Sequence, residues 1–572
     1  MANFFEDNKD LLFHLEHTDL DEVITLMEDN FKDVDNHDYA PRNIKEARRN
    51  YAEILRVAGE IMADVVAPNA ESVDAEGCGF DNGKVEYARG TKENLKAILG
   101  ADLGGMTIPR RYGGLNLPST VSTMVIEMVS RADASLMNIV GLQDIGETIF
   151  EFASEEIKQK YLPMFTSGKV TGAMILTEPD AGSDLQAVQT KAILDEKTGA
   201  WHLHGVKRFI TNGCADISLV LARSEAGSKD GRGLSMFLIE KDETVQIRRI
   251  EHKLGINGSP TCEMQFNNTP ALLIGKRKLG LIRYVMALMN GARIGVSAQG
   301  VGIGEAAYRE ALKYAKERVQ FGEPIINFPA VYDMLTNMRS QVEGARAILY
   351  ETCRYVDLKK VYTTLSEHNE GNQEYKNLLK KYSAIAALLT PMAKAYSTEM
   401  SNRVAYDAIQ IHGGTGFMKD FPVERFARDA RITNIYEGTT QLQVIAAIGG
   451  IVNGTLAELL ADYENYDYPR ELHSIKENLN SIRGILNRCL NEFSERNDKE
   501  FVSYFARNVV DMSCELFIGY RMLKLSVHNE RKRIMTRFFV EKAFANALKL
   551  SEPILKRHTT AITSRNVMME VE

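Results

Sequence analysis

The strongest constraint on the fold is a change of hydrophobic period along the chain. Up to about residue 171, apolar residues recur at spacings of three and four, over Leu20 to Phe31, Pro41 to Val66, Lys92 to Leu99, Val121 to Arg131 and Glu155 to Phe165, which predicts helices. From about residue 172 the apolar runs become short: Ala173 to Leu176, Trp201 to Gly205, Ile217 to Leu221, Leu234 to Ile239 and Val245 to Ile247. Turn clusters such as Asp195 to Gly199 and Gly227 to Gly231 separate them, as between the strands of a small β domain. Helical spacing returns from Gly280, through Leu281 to Gly302, Ala306 to Gln320, Pro329 to Leu358, Tyr375 to Asp407 and Glu424 to Ala427. Such a chain is α+β and mostly α. We expect an N-terminal helical domain (residues 1–171), an antiparallel, barrel-like β domain (172–276), a helix bundle (277–452) and a C-terminal helical extension (453–572), the last carried by Leu472 to Phe493 and Phe501 to Leu525. The polar stretch Lys359 to Lys376 is expected to be a surface excursion between bundle helices.

Composition narrows the function. At 572 residues the chain exceeds the size of one hydrophobic core, and a formal charge of −8 weighs against general nucleic-acid binding. The basic groups Arg531 to Arg533 and Lys556 to His558 read as solvated helix faces. Six scattered cysteines form no CxxC pair, so neither a disulfide framework nor a metal site is expected. Met1 to Leu20 is acidic and lacks the pattern of a leader, and no run approaches 18 apolar residues. A cytoplasmic enzyme without a membrane span is expected.

Five segments carry candidate chemistry. Asp429 to Gln443 sets one carboxylate, Glu437, between Tyr436 and the turn Gly438-Thr439-Thr440; read alone, the segment is equally a helix start. Thr177 to Asp184 ends the first strand with small residues and the hydroxyls of Thr177 and Ser183. Lys207 to Gly213 alternates Phe209 with Thr211, which puts an aromatic and a hydroxyl on one strand face. Glu317 to Gly322 closes a helix with Arg318 and Phe321, a phosphate-binding pair or a plain C-terminal cation. Gln410 to Phe417 is glycine-rich without the dinucleotide fingerprint, and His412 lacks a triad partner.

Together with Ile108-Pro109 and Tyr112-Gly113-Gly114, these segments resemble the acyl-CoA dehydrogenases over about residues 40 to 450. The tail and Leu388 to Met392 resemble the longer bacterial members, which include methylthiopropanoyl-CoA dehydrogenases. The resemblance implies an FAD flavoprotein that introduces an α,β double bond into an acyl-CoA thioester, as in fatty-acid β-oxidation, and passes electrons to an electron-transfer flavoprotein. It makes Glu437 the catalytic base, since Met289 to Arg293, where some relatives carry it, holds no carboxylate. It places Thr177, Phe209 and Thr211 at the flavin ring, Phe209 standing where tryptophan is usual. Arg318 and Phe321 are matched to the FAD pyrophosphate of a neighbouring subunit, and Gln410, Gly413, Gly414, Thr439 and Gln441 to further FAD contacts. Ser183 and Arg293 fall on the acyl-CoA side. A homo-oligomer follows, a dimer in preference to a tetramer. Asn257 and Val444 depart from the arginines common at their positions. Acyl-CoA oxidases and desulfinase-type relatives share the fold, as does a DNA-binding flavoprotein, which has no need of Glu437.

Overall fold

The computed structural model describes residues 3–570, so Met1 and Ala2 of the acidic N-terminal stretch lie outside the described residues. Contacts divide the chain into two compact units. The first takes in the chain up to Glu16, Leu20–Ala306 and Met418–Thr433; the second takes in His17–Asp19, Ala307–Phe417 and Asn434 onward.

The first unit opens with helices. The run from Pro41 starts as a helix at Ile44, where Asn43 caps it by accepting from the Glu46 N–H. It does not stop at Val66 but passes through one π turn, Met62–Val66, into Ala67–Glu76. Pro68 supplies the reason: its ring cannot sit over the carbonyl four residues back and it has no N–H to donate, so the turn before it widens.

Seven strands follow: β1 (Gly172–Ile175), β2 (Lys191–Leu194), β3 (Trp201–Thr211), β4 (Ile217–Arg223), β5 (Leu234–Glu240), β6 (Val245–Ile250) and β7 (Thr261–Ile274). Pairing runs β4–β2–β3–β7–β5 and returns to β4, which closes the sheet into a barrel, with β1 beside β4 and β6 beside β7. The expectation of a purely antiparallel domain is corrected here, because β1 pairs β4 in parallel and β2 touches β4 in parallel at Lys191 and Arg223. The chain crosses through β2 and β3 before β4, and such a crossover brings it back in its original direction. Alternate residues of β4 and β5 serve two cores. Leu219, Leu221, Met236 and Leu238 pack with the helical residues Ile149, Tyr161 and Phe165, whereas Val220, Ala222, Phe237 and Ile239 fill the barrel with Trp201 and Phe266. Burial on both faces explains why these strands read as unbroken apolar runs.

The second unit is helical. We label α1 (Met286–Glu317), which belongs to the first unit as far as Ala306, and, in the second unit, α2 (Pro329–His368), α3 (Gln373–His412), α4 (Thr440–Val452), α5 (Thr455–Glu464), α6 (His473–Arg496), α7 (Lys499–Ser526) and α8 (Glu530–Leu555). The excursion expected over Lys359 to Lys376 is not present; helices α2 and α3 run on through most of it and meet in a tight turn where Asn372 caps α3 by accepting from the Tyr375 N–H. Buried Val361 and Tyr362 hold the helix together despite the polar residues, and Tyr362 packs on Tyr375 and Tyr382.

Nor is Arg531 to Arg533 a solvated face. Lys532 is buried and donates to Glu343 Oε2 of α2 at 2.9 Å, and Arg531 donates to Glu343 Oε1 at 2.7 Å. A second buried carboxylate of α2, Glu351, receives Arg354 at 2.6 Å, Arg521 of α7 at 3.1 Å and the Tyr463 hydroxyl of α5 at 3.1 Å. Burial alone would raise the Glu351 carboxyl, but the two guanidiniums outweigh it and bring it down to about 2. All six cysteines are free thiols. Among the described residues no single helix is long and apolar enough to cross a membrane.

Candidate active site

Glu437 lies in a loop that ends at the N-terminus of α4. Thr439 is the cap, its hydroxyl accepting from the Leu442 N–H at 3.4 Å. The helix-start reading of the motif is what the structure shows, and the carboxylate stands two residues before the cap, where the helix dipole favours negative charge. Glu437 is half-buried and adopts a left-handed backbone, φ 53°, followed by Gly438 at φ 89°. A side chain in that region costs on the order of 1 kcal/mol, so something must hold it.

Three side chains do. Lys394 Nζ, on α3, donates to the carbonyls on either side of Glu437, Tyr436 O at 2.7 Å and Gly438 O. Gln443 Nε2 donates to Glu437 O at 3.3 Å and Gly438 O at 2.9 Å. Glu399 Oε1 accepts from the Thr440 hydroxyl at 2.7 Å and from Asn434 Nδ2 at 3.3 Å, pinning both ends of the loop. Sequence reasoning missed all three. The available signal was Lys394 itself, the one cation in the apolar run Leu388 to Ala395.

The same unit holds most of the other residues matched to FAD. Arg318 follows the C-terminus of α1, exposed, its N–H donating to Tyr314 O at 2.8 Å. Phe321 tips the adjoining two-residue hairpin at φ 53° and is 97% exposed. Tyr314 stacks on His412 at 4.2 Å and its hydroxyl accepts from Thr415, which brings the end of α1 beside the Gly413 to Phe417 turn. His412 Nδ1 lies 2.8 Å from Ala408 O, a structural use of that ring. Gln410, Gly413, Gly414 and Gln441 are exposed. As a cap Thr439 uses one acceptor of its hydroxyl, so the O–H proton is left for a ligand.

In the first unit, Thr177 follows β1, and its carbonyl accepts the Arg208 N–H at 3.0 Å, which joins the two flavin-matched segments. The register of β3 on β7 jumps between Lys207 and Ile210; in this bulge Phe209 has φ 61° and is 50% exposed, with the Arg208 guanidinium 4.6 Å over its ring. Ile210 is buried and Thr211 half-buried, so alternation across these three holds. Below them Lys207 is fully buried. Its Nζ reaches Leu176 O at 2.7 Å and Glu178 at 3.0 Å; burial lowers its pKa to about 8, with Glu178 opposing. Ser183 lies exposed in the turn after Thr177. Arg293 is buried in α1 and donates to Asn290 Oδ1 at 3.0 Å. Asn257 donates to Asp74 Oδ1 at 2.9 Å, and Asp74 also takes the Arg428 guanidinium at 2.6 Å. Next to it, Ile256 sits at φ 49° with its N–H on the carboxylate of Asp429.

A helical segment, a closed barrel, a bundle and a loop-held glutamate define a flavoprotein-dehydrogenase type of subunit, and comparison with known proteins makes this specific. Family models for the N-terminal, middle and C-terminal domains of acyl-CoA dehydrogenase match residues 49–169, 173–269 and 282–448, and a further acyl-CoA dehydrogenase C-terminal model matches 452–556. A 3-methylmercaptopropionyl-CoA dehydrogenase of Ruegeria pomeroyi is 35% identical over 439 residues, 71% of this chain and 72% of that one. An acyl-CoA dehydrogenase of Bacillus subtilis is 38% identical over 360 residues, 62% of this chain and 88% of that one. Among solved structures, an acyl-CoA dehydrogenase of Bacillus anthracis complexed with FAD shares the fold, with a TM-score of 0.75 over 91% of this chain and 92% of that one at 24% identity. The chain belongs to the acyl-CoA dehydrogenase family, oxidoreductases that act on CH–CH bonds.

Proposed function

We propose that the protein is an FAD-dependent acyl-CoA dehydrogenase in which Glu437 removes the α-proton of an acyl-CoA thioester. The observation that carries this reading is the loop itself: a half-buried carboxylate held in a left-handed backbone by Lys394 and Gln443, at the mouth of a helix N-terminus. Left-handed positions favour glycine or asparagine, so a glutamate held there supports a functional use of its side chain.

The residues present suit a flavin nucleotide. The half-exposed Phe209 ring and the hydroxyls of Thr177 and Thr211 provide a stacking face and hydrogen bonds for a flat ring, and the exposed Arg318 fork is suited to a pyrophosphate. Gln410, Gly413, Gly414, Thr439 and Gln441 would complete the set. When bound, the flavin supplies the acceptor for the hydride that leaves the β-carbon as the α-proton goes to Glu437 and the double bond forms. The ring of Phe321 meets Phe328 edge-on at 6.1 Å yet stays almost wholly exposed within one chain, which supports a homo-oligomer in which a second subunit's cofactor covers it. Ser183 and Arg293 are proposed on the acyl-CoA side, and an electron-transfer flavoprotein is the proposed acceptor. The four regions bounded at 171, 276 and 452 would then act as one enzyme, without a membrane span.

Anaerobic addition of short- to medium-chain acyl-CoAs tests the reading. Bleaching of the flavin is expected, and a full panel that leaves the spectrum unchanged overturns it.

A further inference from the structure

Lys394 is a fully buried cation whose role no motif assigns. An ammonium out of water is costly unless its three N–H groups find acceptors. Two of them are taken by Tyr436 O and Gly438 O, the carbonyls before and after the base. In extended backbone, carbonyls two residues apart on one side flank a residue whose own carbonyl points the opposite way. Here the loop curls through two left-handed residues, Glu437 and Gly438, so that both neighbours face one ammonium. The charge thus selects the backbone that displays Glu437.

Glu399 lies five residues along α3, roughly 7.5 Å on the 1.5 Å rise of a helix. It takes donors from Asn434 and Thr440, the two ends of the loop. Arg507 of α7 comes within 3.8 Å of Glu399 and is itself fixed by Asp511 through two contacts of 2.8 Å. These three charges border a cavity of about 420 Å³, so the C-terminal extension reaches the support of the base.

Resting on the proposed role of Glu437, we propose that Lys394 and Glu399 are positioning residues of the base, Lys394 fixing the backbone that carries it and Glu399, backed by Arg507 of the extension, fixing the loop's two ends.

The test uses the flavinated full-length protein with an acyl-CoA that bleaches it. Lys394→Met should lower kcat roughly tenfold or more while KM changes less than about threefold, as for support felt mainly in the chemical step. Lys394→Arg should recover part of the rate. Full FAD content with kcat within about twofold of the parent overturns the proposal, as does a loss of rate that merely tracks a loss of FAD. Should Lys394→Met fail to fold, Glu399→Gln keeps the shape and loses the charge. It is expected to lower kcat roughly threefold, and an unchanged rate overturns the proposal. Glu437→Gln separates the two readings: if it leaves turnover intact, the base assignment has failed; if it abolishes turnover while Lys394→Met does not, only the positioning role has failed.

Discussion

The bulge at Phe209 and the loop at Glu437 solve one problem in two ways. Each presents a side chain with a proposed function on a left-handed residue, φ 61° and φ 53°. At Phe209 the ladder imposes the conformation: β3 pairs β7 on both sides of the register jump, and the Arg208 N–H is tied to the Thr177 carbonyl. At Glu437 no ladder exists, and three side chains, the buried Lys394 and Gln443 and the half-buried Glu399, grip the carbonyls and ends of the loop. Main-chain support survives most point mutations. Side-chain support does not, so the base loop is where single substitutions should be felt. Ile256 is intermediate: its left-handed backbone depends on one carboxylate, that of Asp429.

The sharpest break is Glu437→Gln, which leaves the loop's supports in place and removes the base; turnover should fall by roughly 10² to 10⁴ while FAD and acyl-CoA still bind, as stopped-flow bleaching and ligand titration would show. Gln443→Leu should follow. It removes the amide donor from the Glu437 and Gly438 carbonyls, leaving Gly438 O with Lys394, a loss of about 1 kcal/mol, and should lower both the melting temperature and kcat.

Asp429→Asn tests the intermediate case through pH. Burial first, then the nearby Asp133 and Asp74, raise the Asp429 carboxyl to about 7. The folded protein therefore holds a proton that the unfolded chain has released, so the stability from protonated Asp429 is present below the ordinary carboxylate range and is lost as pH climbs toward 7. The amide cannot ionise and can still accept from the Ile256 N–H. Its unfolding free energy should exceed the parent's at pH 8, by an amount on the order of 1 kcal/mol or more, and match it near pH 4, as melting curves at the two values would show. A gain equal at both values would show that ionisation is not the cause.

The smallest structural effect belongs to Phe209→Ala. Half the ring is already exposed, and the ladder sets the bulge, so stability should change by no more than about 0.5 kcal/mol. FAD retention, followed by absorbance after gel filtration, should weaken. A large loss of stability would show that the ring, and not the ladder, holds the bulge.

Much of this was legible in sequence because its causes are local. The change of period marked the barrel, and glycines following Phe321 and Glu437 marked turns where the chain needs φ above zero, Gly322 and Gly438 both at 89°. What escaped were effects with distant causes. Lys394 stands 43 residues before Glu437, and a lone lysine in an apolar helix says nothing about which carbonyls it will meet. Strand β7 was missed because Asn267-Asn268-Thr269-Pro270 reads as a turn, yet Asn268 is absorbed as a bulge at φ 60° while the ladder continues around it. The polar stretch after Leu358 hid a helix, since its two anchoring positions, Val361 and Tyr362, are outnumbered by charged and hydroxyl-bearing residues.

The two buried carboxylates of α2 bear on how the protein can be cut. Glu343 is neutralised from α8 and Glu351 from α5 and α7, all beyond residue 452. Removing those helices would leave Glu343 with Arg339 and Glu351 with Arg354, both of α2, and take away the further cations and the hydroxyl, on a helix face stripped of its cover. The extension is therefore no detachable module: bundle and extension should melt in one calorimetric transition, and a protease that nicks the chain between α4 and α5 should release neither half until that transition is reached.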